Sequence, residues 1–193
     1  MTSIAPGRSR FLIAWPHLLI FSAVLLFDQV TKYWARAAYS LPNGEPDYGL
    51  VTPVLGEWVQ FRLVYNLGAA FGLRPQDVLP FLHPTLFYLV FSLAAIVFLT
   101  VYYRRLPGGE KAARLGVLLI LAGAFGNLID RVTLHKVTDF IDVGIPGVSL
   151  RWPVFNIADS SVCVGIVLLI VSMLAADANA AGKTEPAKAS GAA

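Results

Sequence analysis

The chain has 193 residues, of which 56% are hydrophobic and only 14% are charged. That balance is more apolar than a soluble domain of this length requires, so the composition predicts an integral membrane protein. The net charge of +3 does not indicate a nucleic-acid partner, because the basic residues lie beside apolar runs and form no continuous stripe.

Four apolar runs are long enough to cross a bilayer. The clearest of them, 81–103, contains no charged residue and has about the length that a bilayer core requires. The sequence predicts spans at about 11–35, 81–103, 114–132 and 155–176. The predicted fold class is therefore an all-α integral membrane protein with a single membrane domain. The Ala/Gly/Lys tail, 177–193, is predicted to be disordered.

Two polar inserts, 39–80 and 133–153, separate the spans on one side of the membrane. In the first insert, the segment from Trp58 to Tyr65 roughly alternates and is rich in aromatic and β-branched residues, which favours a strand. Its predicted partner is the segment 50–55, joined to it through Gly56 and Glu57. We therefore expect a small extracytoplasmic β-sheet that lies on the membrane surface.

The placement of basic residues predicts how the chain is oriented. Four of them crowd into the short loop between the second and third spans: Arg104, Arg105, Lys111 and Arg114. Short basic loops of this kind usually face the cytoplasm. We therefore place this loop and both termini in the cytoplasm, and both polar inserts outside.

Polar residues recur where three of the spans meet the inserts. They have helical spacing, so that the members of each set share one helix face. The sets are Asp28 with Lys32, then Gly123 with Asn127 and Arg131, and finally Asn156 with Asp159. Ionisable groups at a bilayer are costly and usually face a protein interior or a wet cavity. We therefore expect the three sets to meet at one membrane face.

Asp139 and Asp159 have the properties of a hydrolytic pair. Asp139 lies between the apolar residues Val137 and Phe140 in the second insert, and Asp159 opens the fourth span. Two close carboxyl groups can share one proton, so that one activates water while the other protonates a leaving nitrogen. Two-carboxylate peptide hydrolysis is therefore our hypothesis for this site.

Both aspartates also have structural interpretations. Asp159 follows Asn156 closely enough for the two to cap the fourth helix, since Asp and Asn favour N-terminal positions. Asp139 has Lys136 and Arg151 nearby in the sequence as possible ion-pair partners. Spacing alone does not decide between capping and catalysis.

Two further aspartates are interpreted as structural. Asp130 is expected to form a local ion pair with Arg131 or to serve as a helix-end residue. Asp142 is expected to be a solvated loop carboxylate. The single cysteine, Cys163, and the three histidines follow no metal-binding pattern, so we predict no metal and no cofactor.

The ordered motifs resemble those of the bacterial lipoprotein signal peptidases (type II signal peptidases). The family pattern is Asp-x-x-x-Lys, Asn-x-Gly-x-x-Phe, Gly-x-x-x-Asn-x-x-Asp-Arg, Val-x-Asp-Phe and Phe-Asn-x-Ala-Asp. These motifs occur here in the same order at 28–32, 66–71, 123–131, 137–140 and 155–159. No motif position departs from the pattern, and the resemblance covers nearly the whole chain apart from its ends.

The resemblance implies an enzyme of the bacterial cytoplasmic (inner) membrane that removes signal peptides from lipid-modified prolipoproteins. Such an enzyme cuts before the diacylglyceryl-cysteine at the outer membrane face, so membrane lipids and the prolipoprotein are the implied partners. The resemblance further implies that Asp139 and Asp159 are the catalytic pair. It implies substrate-binding or supporting roles for the other motif residues: Asn66, Gly123, Asn127, Arg131, Asn156, Asp28 and Lys32. A monomer without a nucleic-acid partner is expected.

Two other function classes make different predictions. A small transporter or proton channel would place its ionisable groups near the bilayer midplane and often contains internal repeats, which this sequence lacks. A structural membrane subunit would tolerate replacement of Asp139 and Asp159 by asparagine. Those two substitutions therefore separate the hypotheses.

Overall fold

The computed structural model describes residues 15–68, 84–148 and 150–184. Its helices are α1 (Trp15–Tyr39), α2 (Pro84–Arg105), α3 (Lys111–Leu134) and α4 (Ile157–Thr184), and its strands are β1 (Thr52–Leu55), β2 (Val59–Asn66) and β3 (Val137–Val143). Each helix contains a segment that is long and apolar enough to span a membrane. The predicted fold class, four spanning helices with a small sheet, is confirmed.

The helix ends differ from the predicted spans. α3 runs from Lys111 to Leu134 and so includes one charged residue, Lys111, that the predicted span 114–132 left outside. α4 continues to Thr184, into the segment that was predicted to be disordered. This extension contains several alanines, and alanine has the highest helix propensity. Residues 11–14, 69–83, 149 and 185–193 of the predicted spans, inserts and tail lie outside the described residues.

The sheet has the strand order β1-β2-β3, with both pairs antiparallel. The predicted hairpin of β1 and β2 is confirmed, and Gly56 in its turn has a φ of 56°, which favours glycine. β3 was not predicted, because the second insert was interpreted only as a polar segment. Five of its residues are buried, including the first four in succession, so the strand lacks the alternation that identifies a half-buried strand.

The helices pack around α3, which contacts each of the other three. Close contact between α3 and α4 depends on glycine: a Cβ on Gly165 would lie 2.5 Å from the carbonyl oxygen of Gly116. Small residues of this kind let spanning helices approach each other closely. An apolar cluster that includes Ile96, Val117 and Leu121 fills the space between α2 and α3.

The sheet is attached where α1 and α3 end, and Phe155, just before α4, pairs with Ile141 of β3. Trp34 near the end of α1 makes edge-to-face contacts with Phe61 of β2 and Phe140 of β3. α3 ends at Leu134, and the following C-cap residue, His135, has a φ of 61°, the left-handed conformation common after helix ends. The chain then enters β3 at once, so this short connection holds Asp139 beside the ends of the helices.

Candidate active site

The structure brings Asp139 and Asp159 to the same asparagine. Asn156 is fully buried, and its Nδ2 atom donates a hydrogen bond to Asp139 Oδ1 at 2.7 Å. Its backbone N–H donates to Asp159 Oδ2 at 3.2 Å. One residue thus fixes both of the aspartates that the sequence analysis singled out.

Asp159 also caps α4, as the structural interpretation expected. Its backbone N–H donates to Asn156 Oδ1 at 2.9 Å, while its own carboxylate accepts from the Asn156 backbone. This reciprocal arrangement has the form of a capping box. The second carboxylate oxygen, Oδ1, accepts from Asn127 Nδ2 at 2.8 Å. Capping therefore fixes the direction of the Asp159 carboxyl and does not exclude a chemical role for it.

Lys32 determines which way the Asn127 amide faces. The fully buried Lys32 Nζ donates to Asn127 Oδ1 at 2.8 Å, and Asn156 Nδ2 approaches the same oxygen at 3.1 Å. An ammonium group can only donate, so it requires the amide oxygen of Asn127 to face it. The Asn127 amide nitrogen must then face Asp159. The predicted motif residues thus form one directed hydrogen-bond network.

Asp28 links α1 to the start of α4. Its Oδ1 accepts from the backbone N–H of Ala158 at 2.8 Å, and its Oδ2 pairs with Lys32 at 3.0 Å. Asp28 and Lys32, which the helical spacing placed on one face of the first span, therefore form an ion pair. Gly126 lies so close to Asp28 that any side chain there would meet the carboxylate.

Asn66 at the end of β2 completes the surroundings of Asp139. Its Nδ2 donates to Asp139 Oδ2 at 3.1 Å, while its Oδ1 accepts from the backbone of Gly68 at 2.9 Å. Both oxygens of Asp139 therefore receive an amide hydrogen bond. The rest of this predicted motif, 69–71, lies outside the described residues.

The surroundings of Asp139 change its acidity. Burial, together with the nearby Asp159 carboxylate, raises the pKa of Asp139 to about 7, although the hydrogen bonds from Asn66 and Asn156 act to lower it. Asp139 can therefore take up or release a proton near neutral pH. Within residues 15–68, 84–148 and 150–184, no group of three or more His, Cys, Asp or Glu side chains is placed to hold a metal ion.

Arg131 faces the two carboxyl groups from α3, and Tyr88 of α2 supports it. The Arg131 guanidinium lies over the Tyr88 ring, 5.6 Å from its centroid, and interacts electrostatically with Asp159 and Asp139. Tyr88 belongs to no sequence motif and was therefore not predicted as a site residue. The only signal was a polar aromatic residue near one end of a span without charges.

Gly123 has a packing role in the site. A Cβ at this position would meet the carbonyl oxygen of Ala158 and the side chains of Ser161 and Val162 on α4. The missing side chain lets α3 approach the first turn of α4. Gly123 thus supports the site by bringing Asn127 close to Asp159.

Two structural interpretations from the sequence are corrected. Asp130 has its ion-pair contacts with Lys32 at 3.7 Å and Arg36 at 3.8 Å, both on α1, rather than with the adjacent Arg131. Its Oδ2 also accepts from the Thr138 backbone N–H at 2.8 Å. The partners come from elements that are distant in sequence, so the local spacing could not reveal them.

Asp142 is buried rather than solvated. It is 1% exposed and forms ion pairs with Arg62 at 2.8 Å and Arg151 at 2.7 Å. Arg151, which was considered a partner for Asp139, therefore pairs with Asp142 instead. Lys136, the other candidate, lies 3.6 Å from Glu45.

Comparisons with known proteins find relatives that match most of the chain. The model of the signal peptidase (SPase) II family matches residues 20–175. The lipoprotein signal peptidase of Moorella thermoacetica is 38% identical over 159 residues, which cover 82% of this chain and 93% of that protein. The lipoprotein signal peptidase of Coxiella burnetii is 39% identical over 161 residues, which cover 83% of this chain and 91% of the relative.

Two solved structures have a similar fold. A bacterial membrane enzyme determined by the in meso method at 2.3 Å resolution superposes with a TM-score of 0.73 at 28% identity, covering 92% of this chain and 96% of that one. Another, at 1.9 Å resolution, has a TM-score of 0.69 at 30% identity and covers 84% of this chain and 94% of the other. The likeness therefore extends over both the helices and the sheet.

Proposed function

This chain belongs to the signal peptidase II family, and from that premise we propose that it removes the signal peptide from lipid-modified prolipoproteins. Family membership makes the chain a protease, and its four apolar helices make it a multi-pass membrane protein. The cut is proposed to lie just before the diacylglyceryl-cysteine. The enzyme is proposed to be of the aspartic type, with Asp139 and Asp159 as its catalytic residues.

The joint attachment of Asp139 and Asp159 to Asn156 is the observation that carries the mechanism. In the proposed reaction, the pair holds a single proton. The ionised carboxylate takes a proton from water, whose oxygen attacks the scissile carbonyl carbon. The protonated carboxyl gives its proton to the amide nitrogen as the C–N bond breaks, and the pair is left with one proton again. This shared proton belongs to the pair and is not assigned to either residue.

The pKa of Asp139 supports this chemistry. Burial raises that pKa to about 7, so at neutral pH the group exchanges its proton without a large free-energy cost. Its neighbours Asn66 and Asn156 orient both of its oxygens while leaving it without a direct cation contact among the described residues. Such a carboxyl is suited to alternate between acid and base.

The other motif residues are proposed to bind substrate or to hold the pair in place. Arg131 presents its guanidinium toward the carboxyl groups and is proposed to bind a carbonyl of the substrate backbone. Asn127 orients Asp159, and Lys32 orients Asn127. Asp28 fixes the first turn of α4 through Ala158.

We propose that the site faces the outside of the bacterial cytoplasmic membrane and that the protein acts as a monomer. The β1–β2 hairpin supports a position at the membrane surface, because Leu55 and Trp58 are 65% and 56% exposed. The basic loop between α2 and α3, together with both termini, would then lie in the cytoplasm. A substrate with a signal helix and acyl chains would reach the site through the bilayer.

The proposal is tested by Asp139→Asn and Asp159→Asn in a gel-shift assay with a diacylglyceryl-modified precursor. We expect each variant to fold in detergent and to lose at least about a thousandfold in cleavage rate, because a general acid or base is removed. Asp177→Asn is the matched control, since Asp177 is an exposed aspartate toward the other end of α4. Wild-type turnover by both site variants would overturn the aspartic mechanism.

A further inference from the structure

Thr138 precedes Asp139 in β3 and is fully buried. The family pattern Val-x-Asp-Phe leaves this position open, so the motif comparison assigns it no role. In this chain, however, every polar group of Thr138 contacts a different part of the helical bundle. These contacts therefore hold the residue that immediately precedes Asp139 in the chain.

Three hydrogen bonds hold Thr138. Its backbone N–H donates to Asp130 Oδ2 on α3 at 2.8 Å, and its hydroxyl oxygen accepts from Arg36 Nη1 on α1 at 2.9 Å. Its carbonyl oxygen accepts from Asn156 Nδ2 at 3.2 Å, at the start of α4. Thr138 therefore connects β3 to three helices.

The contact with Arg36 is the one that depends on the threonine side chain. The other two use the backbone and would be available to almost any residue. Arg36 also lies 3.8 Å from Asp130, so Arg36, Asp130 and Thr138 form a closed set of contacts. The Arg36 side chain is 25% exposed, whereas the Asp130 side chain is only 2% exposed. Arg36 thus lies at the edge of the site and links the end of α1 to the buried strand β3.

We propose that Arg36 and Thr138 form a positioning pair that fixes the Asp139 carboxyl relative to Asp159. The pair touches neither carboxyl group, and it acts by holding the backbone from which Asp139 projects. The inference rests on the proposed catalytic role of Asp139. It predicts an effect on the chemical step, because a small displacement of a reacting group slows chemistry more than it weakens binding.

Thr138→Val is the informative variant. Valine has nearly the shape of threonine and favours strands, so the fold should be retained while the acceptor for Arg36 is lost. We expect kcat to fall about tenfold, the effect of losing roughly one hydrogen bond, with KM unchanged within about twofold. Thr138→Ser keeps the hydroxyl and should stay within about twofold of wild type in kcat.

Thr133→Val is the matched control. The exposed Thr133 hydroxyl donates to the carbonyl oxygen of Ile129, one turn earlier in α3, so its loss should leave kcat and KM unchanged. Thermal unfolding in detergent measures the stability of each variant. A kcat loss in Thr138→Val that Thr138→Ser does not share, in proteins of equal stability, is the expected pattern.

A double-mutant cycle identifies Arg36 as the partner. If the two residues act through one contact, Thr138→Val should change kcat less than about twofold when Arg36→Met is already present. Wild-type kcat in Thr138→Val, or an equal tenfold loss with and without Arg36→Met, would overturn the proposal. If Asp139→Asn and Asp159→Asn cleave normally, the proposed function fails instead, so the two failures are distinguishable.

Discussion

The two ends of β3 each carry a buried aspartate, and the two aspartates have opposite kinds of neighbours. Asp139 and Asp142 are 2% and 1% exposed. Asp139 accepts hydrogen bonds from the amides of Asn66 and Asn156. Asp142 instead forms ion pairs with Arg62 and Arg151. Burial is thus the same at both ends of the strand, and the partners differ.

This difference explains why we assign chemistry to one end only. Two guanidinium groups neutralise the Asp142 carboxylate and tie β3 to β2 and to the segment that follows β3. Amide groups satisfy the hydrogen-bonding needs of Asp139 without contributing a charge, so burial can still raise its pKa to about 7. A buried carboxyl becomes available for proton transfer when its neighbours orient it without neutralising it.

The largest effect is expected when a cation is placed beside Asp139, as Arg62 and Arg151 lie beside Asp142. Asn66→Lys replaces an amide donor of Asp139 with a cation, which favours the ionised carboxylate and lowers its pKa. The pair would then lose its shared proton at neutral pH. We expect the cleavage rate at pH 7 to fall about a hundredfold. The fall in activity with rising pH, near pH 7 in the wild type, should move to lower pH.

Asn66→Gln is the control for this substitution, because it keeps an amide and adds no charge. Its rate is expected to be closer to wild type, and its pH dependence should be unchanged in shape. Cleavage by Asn66→Lys at the wild-type rate and with the same pH profile would contradict the contrast drawn between Asp139 and Asp142. In that case the absence of a cation in direct contact with Asp139, among the residues that the structure describes, would have no catalytic meaning.

A smaller effect, on stability rather than on rate, is expected at the other end of the strand. Asp142→Asn leaves Arg62 and Arg151 without their common carboxylate. Their side chains are 38% and 32% exposed, so water replaces part of the lost interaction. We therefore expect a loss of about 1–3 kcal/mol in the free energy of unfolding, below the cost of breaking a fully buried pair.

Thermal unfolding in detergent measures that loss, and the gel-shift assay is run well below the unfolding temperature. The cleavage rate should stay within about threefold of wild type, because Asp142 contacts none of the residues proposed to act on the substrate. If Asp142→Asn is as inactive as Asp139→Asn while still folded, the division of β3 into a structural end and a chemical end is wrong.

Much of the fold follows from local sequence signals. The four apolar runs predict the helices, and the aromatic and β-branched segment from Trp58 to Tyr65 predicts the hairpin, because bilayer length and strand composition act over short distances. The spacing of Asp28 and Lys32 likewise predicts their ion pair. These features depend on neighbours within one element or one turn.

The features that the sequence analysis missed depend on distant partners. Asp142 was predicted to be a loop carboxylate, because its partner Arg62 lies on β2, far away in the sequence. β3 shows no alternation, because successive residues, which point to opposite faces of the sheet, are buried on both faces from Val137 to Phe140. Tyr88 becomes recognisable only through the Arg131 guanidinium above its ring. Long-range pairing of this kind leaves no periodic signal along the chain.

The smallest effect tests the amide contacts of Asp139 themselves. The hydrogen bond from Asn66 lowers the pKa of Asp139 against the effect of burial, so Asn66→Ala should raise that pKa. Because activity is lost when the second carboxyl ionises, the fall in rate at alkaline pH should then move upward from about pH 7. At pH 6 we expect a rate within about threefold of wild type. The pH dependence of kcat/KM measures the shift.

Asn43→Ala is a matched control for this last variant. Asn43 Oδ1 accepts from the backbone N–H of Glu45, as Asn66 Oδ1 accepts from Gly68, so both substitutions remove the same kind of turn contact. Asn43 is exposed and should leave the pH profile unchanged. A profile that moves downward in Asn66→Ala would show that Asn66 does not act by stabilising the ionised carboxylate. Lysine and alanine at position 66 are thus expected to move the pH profile in opposite directions, and both shifts measure the free energy of removing the shared proton from the pair of Asp139 and Asp159.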